Sequence, residues 1–153
     1  MKNTDSLLSF AVEGRKYALP LASVDKITRA VEITPLPKAP GIVLGIINYN
    51  GRVIPVVNLR KRFGLPERDM ELSDQLIIAE TPRRAVALLA DRVDTVVEID
   101  KQDIIKAGQI VPRTEFVEGV VKLAEGLLLI HDLAGFLSLD EETALNDALK
   151  EIE

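Results

Sequence analysis

The stretch Gly45-Ile-Ile-Asn-Tyr-Asn-Gly-Arg-Val-Ile-Pro-Val-Val-Asn-Leu-Arg-Lys-Arg-Phe63 sets two apolar runs around Asn50-Gly51 and closes on a short Leu…Phe segment. Asn-Gly is the pair preferred for a type I′ turn, where both central residues take positive φ. The stretch therefore predicts a β-hairpin, Gly45 to Asn50 and Arg52 to Asn58, followed by a single helical turn over Leu59 to Gly64. From Gly119 the chain says much of this again: Gly-Val-Val-Lys-Leu-Ala-Glu-Gly-Leu-Leu-Leu-Ile-His-Asp-Leu-Ala-Gly-Phe136. A second echo sets Leu8 to Ile27 against Ile77 to Val96 at a constant offset, pairing Val24-Asp25-Lys26-Ile27 with Val93-Asp94-Thr95-Val96. Two copies of one strand-rich unit of roughly seventy residues predict two small barrels side by side, with a groove between them. The units are expected at about 7–66 and about 74–139.

Outward from these repeats the chain reads as short strands and turns. Leu7 to Val12 and Tyr17 to Pro20 flank Glu13-Gly14 and form a hairpin. Val24 to Val31 fits either a short helix leading into a strand or one continuous strand. Thr34 to Gly41 carries Pro35, Pro37 and Pro40 and is an extended connector, since proline is excluded from helix interiors and central strands. Pro66 to Ser73 is a polar link. Gln75 to Ala79 and Arg84 to Ala90 make the next hairpin, Asp94 to Ile99 a further strand, and 101–115 a looser polar loop. Val117 to Leu123 and Leu127 to Ile130 close the second unit. Asp140-Glu-Glu begins a C-terminal helix, about 140–152, whose Leu145, Leu149 and Ile152 form an apolar stripe suited to packing.

A chain of 153 residues can bury ~70% of the surface its unfolded form exposes, so no covalent staple is required. Cysteine is absent, which removes disulfides and thiolate metal sites and suits a reducing cytoplasm. The N-terminus lacks the apolar core of a signal peptide, and no apolar run nears the ~18 residues of a membrane span. These features point to a soluble intracellular protein. A net charge of −5 argues against a phosphate-backbone partner, and aromatics at 4% leave few stacking platforms for single-stranded nucleic acid.

Chemistry is sparse. His131 is the sole histidine and ends an apolar run beside Asp132; it reads as structural. No Gly-x-Ser-x-Gly elbow, dinucleotide fingerprint or phosphate loop occurs, so no catalytic residue, cofactor or metal is expected. Asp140-Glu141-Glu142 reads as a helix start, and Asp91 and Asp94 as turn or salt-bridge residues. Arg60-Lys61-Arg62 is the one basic run, a solvated face or a partner contact. Gly45, Gly51, Gly119 and Gly126 mark tight corners, and the strand edges and loops at barrel ends are natural docking surfaces.

The order of these motifs resembles the CheW-like domain of bacterial chemotaxis adaptor proteins, from about Leu7 to Leu139. Phe10 to Pro20 is similar to the family's opening hairpin, Val24-x-x-Ile27 to its Val-x-Glu-Ile element, and Ile33 to Pro40 to its proline-rich connector. Gly45 to Gly51 resembles its Gly-Val-x-Asn-Leu-Arg-Gly signature. Pro55 to Arg60, with Phe63-Gly64, resembles its Pro-Val-x-Asp-Leu-Arg run, and Ala90 to Val96 its Val-Asp-x-Val-x-x-Val.

The resemblance implies two five-stranded SH3-like barrels in a mainly β fold. It also implies a non-enzymatic cytoplasmic adaptor, recruited to receptor arrays, that bridges chemoreceptor tips and a CheA-type histidine kinase. Val24, Ile27 and Val93 would line the inter-barrel groove for the receptor's helical tip. Lys26, Gly45, Asn48, Asn50, Gly51, Arg60 and Arg62 complete the expected partner-binding set, with barrel ends facing the kinase's regulatory domain. Neither nucleic acid nor direct membrane insertion is implied. The chain departs from the family pattern at Asn50 (arginine in the family), Lys26 (glutamate) and Asn58 (aspartate). The first two rewrite the charge of a partner surface and point to a non-standard array. The alternative is a small double-barrel ligand-binding protein without a kinase partner.

Overall fold

The computed structural model describes residues 3–106, 117–124, 126–133 and 136–152. Its first hairpin joins β1 (Thr4–Val12) to β2 (Arg15–Pro20). Its turn is made by Glu13 and Gly14, both at positive φ. A single 3-10 turn, Leu21–Ser23, leads into β3 (Val24–Arg29), so the ambiguous segment is a strand. The proline-rich connector follows, pinned by a bridge between Thr34 and Ile46. Then come β4 (Val43–Tyr49) and β5 (Arg52–Val57). Asn50 and Gly51 turn between them at φ of 51° and 79°, the type I′ signature. The short helix α1 (Leu59–Arg62) is capped by the Asn58 side chain, which accepts from the Lys61 N–H.

The second half runs β6 (Gln75–Glu80), β7 (Ala85–Ala90) and β8 (Arg92–Asp100). The expected loop from 101 holds a 3-10 turn, Lys101–Asp103, and a two-residue strand β9 (Ile105–Lys106); its remainder to 115 lies outside the described residues. β10 (Val117–Leu123), β11 (Gly126–His131) and helix α2 (Leu139–Lys150) complete the chain. Ser138 and Glu141 cap α2 reciprocally, each side chain accepting from the other's backbone N–H.

One sheet has the order β8-β1-β2-β11-β10-β9 and the other β3-β6-β7-β5-β4. Among the described residues neither is closed by hydrogen bonds into a complete barrel; the fold is mainly β and SH3-like. The repeats are real at the level of register. Leu8 faces Leu19 and Ile77 faces Leu88; Val24 faces Ala79 and Val93 faces Phe10. Gly45 faces Val56 and Gly119 faces Ile130, each beside a bulge.

The expected division at 66 and 74 does not coincide with the sheets. Each sheet takes the first two strands of one repeat and the remaining strands of the other, so β1 and β2 lie with β8 to β11, and 24–90 forms the second sheet. The reason is that repeats identify which segments are alike, not which of two equivalent partners each one pairs with.

Strands β1, β2, β5, β6 and β7 carry runs of buried residues on both faces, which is why they read as continuous apolar runs. Ile77 and Ala79 of β6 join a central cluster, while Leu76 and Ile78 point into a separate one, as alternation along a strand requires. The central cluster combines Phe10, Tyr17 and Leu19 of one sheet with Val57, Val86 and Leu88 of the other. Phe136, Leu145 and Ala148 cover it. Each such side chain contributes about 1.5–3 kcal/mol, so the two sheets share one core.

Gly45 and Gly119 have an identifiable cause. A Cβ on Gly45 would lie 2.3 Å from the Thr34 carbonyl oxygen and 2.8 Å from Ile33 Cγ2; on Gly119 it would meet Ile104 Cγ2 at 2.6 Å. The preceding segment crosses directly over each glycine. Gly45→Ala is expected to lose about 2 kcal/mol, as overpacking does. Gly119→Ala should lose less, because the nearest backbone atom, the Ile105 carbonyl oxygen, lies at 3.1 Å rather than 2.3 Å. Urea midpoints of the two variants check the order.

Candidate partner-binding surface

The expected groove residues follow the two points at which the chain passes between sheets. Val24 and Ile27 lie on β3 and Val93 on β8, each an edge strand. All three are half-buried against the central cluster that both sheets share. Lys26 is exposed between Val24 and Ile27. Asn48, Asn50 and Gly51 are exposed at the β4–β5 turn, where Asn48 Oδ1 accepts from the Gly51 N–H at 3.0 Å. Asn48 thus has a turn-forming role of its own. Gly45 is buried beneath Thr34 and offers no surface. The two hairpins also expose Val53 and Leu127, which follow corresponding turns of the two repeats.

Arg60 corrects the expectation made for it. Only 10% of its side chain is exposed, because its charge is used internally. Its Nη2 donates to Asp91 Oδ1 and Oδ2 at 2.9 and 2.7 Å, and its Nη1 to the Pro66 carbonyl at 2.9 Å and to Glu13. Arg68 extends the network, donating to Asp74 at 2.8 and 3.0 Å and to Asp91 at 2.9 Å. Arg62 is also turned inward, 2.5 Å from Glu141 of α2. Sequence reasoning missed this network because its members are distant in the chain.

His131 has a packing environment. It is buried, with its ring centroid 4.5 Å from Phe63 and 5.2 Å from Tyr17. Among the described residues no group of three or more histidine, aspartate or glutamate side chains could hold a metal ion. No helix there is long and apolar enough to cross a membrane.

Two carboxylates make stability pH-dependent. Burial alone would raise the Asp74 pKa, but hydrogen bonds from Arg68 and the Glu71 N–H, with the charges of Arg68 and Arg60, hold it below its ordinary value. Burial likewise opposes, and Ser138 and Arg62 outweigh, in lowering that of Glu141. A depressed folded pKa adds stability at pH above the unfolded value of ~4, and that contribution is lost as pH falls through the folded value. Denaturant midpoints should therefore drop on acidification below about pH 4, and Asp74→Asn should flatten that slope while lowering stability at neutral pH.

The layout has counterparts among known proteins. The family model described as the CheW-like domain matches residues 6–141. The chain belongs to the CheW-like domain family. The chemotaxis protein CheW of Bacillus subtilis is 30% identical over 146 residues, covering 94% of this chain and 92% of that protein. CheW of Treponema pallidum is 27% identical over 141 residues, covering 88% and 83%. The crystal structure of the scaffolding protein TtCheW from Thermoanaerobacter tengcongensis superposes with a TM-score of 0.82 at 30% identity, covering 92% of this chain and 96% of that one. Across the CheW-like family this chain is thus similar over nearly its whole length, and the mainly β architecture expected from the sequence is the architecture of a solved scaffold.

Proposed function

We propose that the protein is a cytoplasmic, non-enzymatic adaptor that couples chemoreceptors to a CheA-type histidine kinase within a receptor array. The observation that carries this reading is the match along residues 6–141 to the family, together with likeness to a relative described as a scaffolding protein. The apolar surface of Val24, Ile27 and Val93 takes the receptor's helical tip, a few anchors sufficing for a helix laid in a groove. The hairpin ends face the kinase's regulatory domain. The adaptor acts by holding the two in one geometry, so that receptor state biases the kinase.

Lys26 and Asn50 tune that surface toward a non-standard array. Asn50 sits at φ 51°, a conformation asparagine tolerates and arginine adopts at a cost of roughly 1 kcal/mol. Its turn is therefore favourable at the expense of a charged fork that a partner carboxylate could use. Calorimetry with the regulatory domain of the CheA-type kinase of its own organism tests the reading. Wild type is expected to bind, and Lys26→Glu/Asn50→Arg to change affinity about tenfold, or ~1.4 kcal/mol. Normal affinity of wild type for a standard receptor–kinase pair would sink the altered specificity; absence of binding to any cognate kinase or receptor would sink the adaptor.

A further inference from the structure

Among the described strands the chain passes between the two sheets at only two places, from β2 to β3 through Leu21–Ser23, and from β7 to β8 through Asp91. The shared register of β1–β2 and β6–β7 makes these crossings equivalent in the two repeats. Chemically they are not alike. At the second, one carboxylate gathers donors from three segments. Asp91 accepts from Arg60 after β5, from Arg68 in the link to β6, and from the Glu13 N–H in the β1–β2 turn at 2.9 Å. Its own N–H donates to the Ala11 carbonyl at 3.0 Å. Two residues on, the Val93 N–H donates to Gln75 Oε1 at 2.8 Å, a further tie from β8 to the opposite sheet.

Among the described residues the first crossing has none of this. Leu21–Ser23 is a lone 3-10 turn with no buried residue and no side-chain cap at its start. It opens on a cavity of about 920 Å³ whose walls include Leu7, Pro20, Leu21, Ala22 and Ile130. From this asymmetry we infer that Asp91 is a clamp and Leu21–Ser23 a pivot, and that the two sheets reorient about the pivot when the clamp is loosened. Charge-assisted bonds to one carboxylate from both sheets oppose rotation at 91, while a short turn making few contacts belongs to the low-stability end of a fold. For purpose, though not for evidence, the inference rests on the adaptor reading. Val24 and Ile27 follow the compliant crossing and Val93 follows the clamped one. An occupant of that surface would displace β3 more readily than β8, and a displacement of β3 alters the angle between the two sheets and so between the surface that takes one partner and the hairpin ends that face the other.

The test needs no kinase or receptor, so its outcome is separable from that of the adaptor reading. Hydrogen exchange of the wild-type protein comes first. Amides of 22–24 are expected to exchange at least about tenfold faster than those of 91–93; equal rates overturn the inference. The chain has no cysteine, so spin labels at Arg83→Cys and Lys122→Cys, exposed on opposite sheets, report the inter-sheet distance cleanly. Asp91→Asn should broaden that distribution, whereas Ile54→Ala, a core loss confined to the cluster of one sheet, should leave it narrow. An unchanged width in folded Asp91→Asn, or equal broadening in both variants, overturns the clamp. Should Asp91→Asn fail to fold, Arg68→Ala carries the same measurement, since it removes a side-chain donor to Asp91 from the partly exposed edge of the network.

Discussion

Arg60→Ala is expected to lower unfolding free energy by about 3 kcal/mol, the lower end of what breaking a buried ion pair costs. The guanidinium is almost wholly enclosed and donates to two carboxylates and a carbonyl. Burial alone would lower its pKa, yet Asp91 and Glu13 raise it above the ordinary arginine value, a sign that the pairing outweighs desolvation. Removing it leaves Asp91 with Arg68 and the Glu13 N–H and leaves the Pro66 carbonyl without that donor. The estimate stays at the low end because the Asp91 and Glu13 side chains are 27% and 42% exposed, so water compensates part of the loss. Arg60→Lys should recover only a minor part, since one ammonium nitrogen cannot span the sites that Nη2 and Nη1 serve separately, Asp91 on one side and Glu13 with the Pro66 carbonyl on the other. Chemical denaturation of the two variants, with Asp91→Asn as the partner in a double-mutant cycle, measures the coupling. A loss under about 1 kcal/mol for Arg60→Ala would place the residue among solvated surface cations instead.

That residue also marks where the sequence stops being legible. Arg60-Lys61-Arg62 reads as a basic face because the acids that neutralise it, Glu13, Asp91 and Glu141, are brought near only by the fold. Local chemistry was legible. Asn50-Gly51 announced its turn, Asp140-Glu141-Glu142 announced the start of α2, and the recurring Gly45 and Gly119 announced corners. The close approach that requires those glycines became evident only with Thr34 and Ile104 in place.

The exchange of strands between repeats was hidden for a different reason. β1 and β6 present similar apolar faces, so the pattern of β3 fits either. Pairing with β6 rather than β1 is decided by where Leu21–Ser23 and the 30–42 connector can deliver it. The expected partner surface lies between these cases. Val24 and Val93 are paired by the repeats and, with Ile27, sit half-buried against the shared core, while Gly45, Arg60 and Arg62 were grouped with them by motif and serve the interior.

Leu145→Ala should cost about 2–5 kcal/mol, and toward the upper half of that range. Leu145 is fully buried on α2 and joins the central cluster with Phe136, Leu137 and Ala148. Of the three stripe positions expected to pack, it is the one that does so completely: Leu149 is half-buried and Ile152 exposed. The cost of a deleted side chain depends on how far its surroundings collapse, and α2 is held against collapse. Arg62 grips Glu141 at 2.5 Å and Arg84 grips Glu142 at 2.9 Å, in the first turn, and Arg84 also bonds Asn146 one turn further on. A helix fixed at that end cannot slide inward to fill the void. Leu139→Ala on the same helix is the control; Leu139 is 69% exposed and its loss should fall within about 0.5 kcal/mol. Urea denaturation of both gives the comparison. If Leu145→Ala also cost under about 1 kcal/mol, the helix would not be sealing the core that joins the two sheets, and the ion pairs along it would be surface decoration.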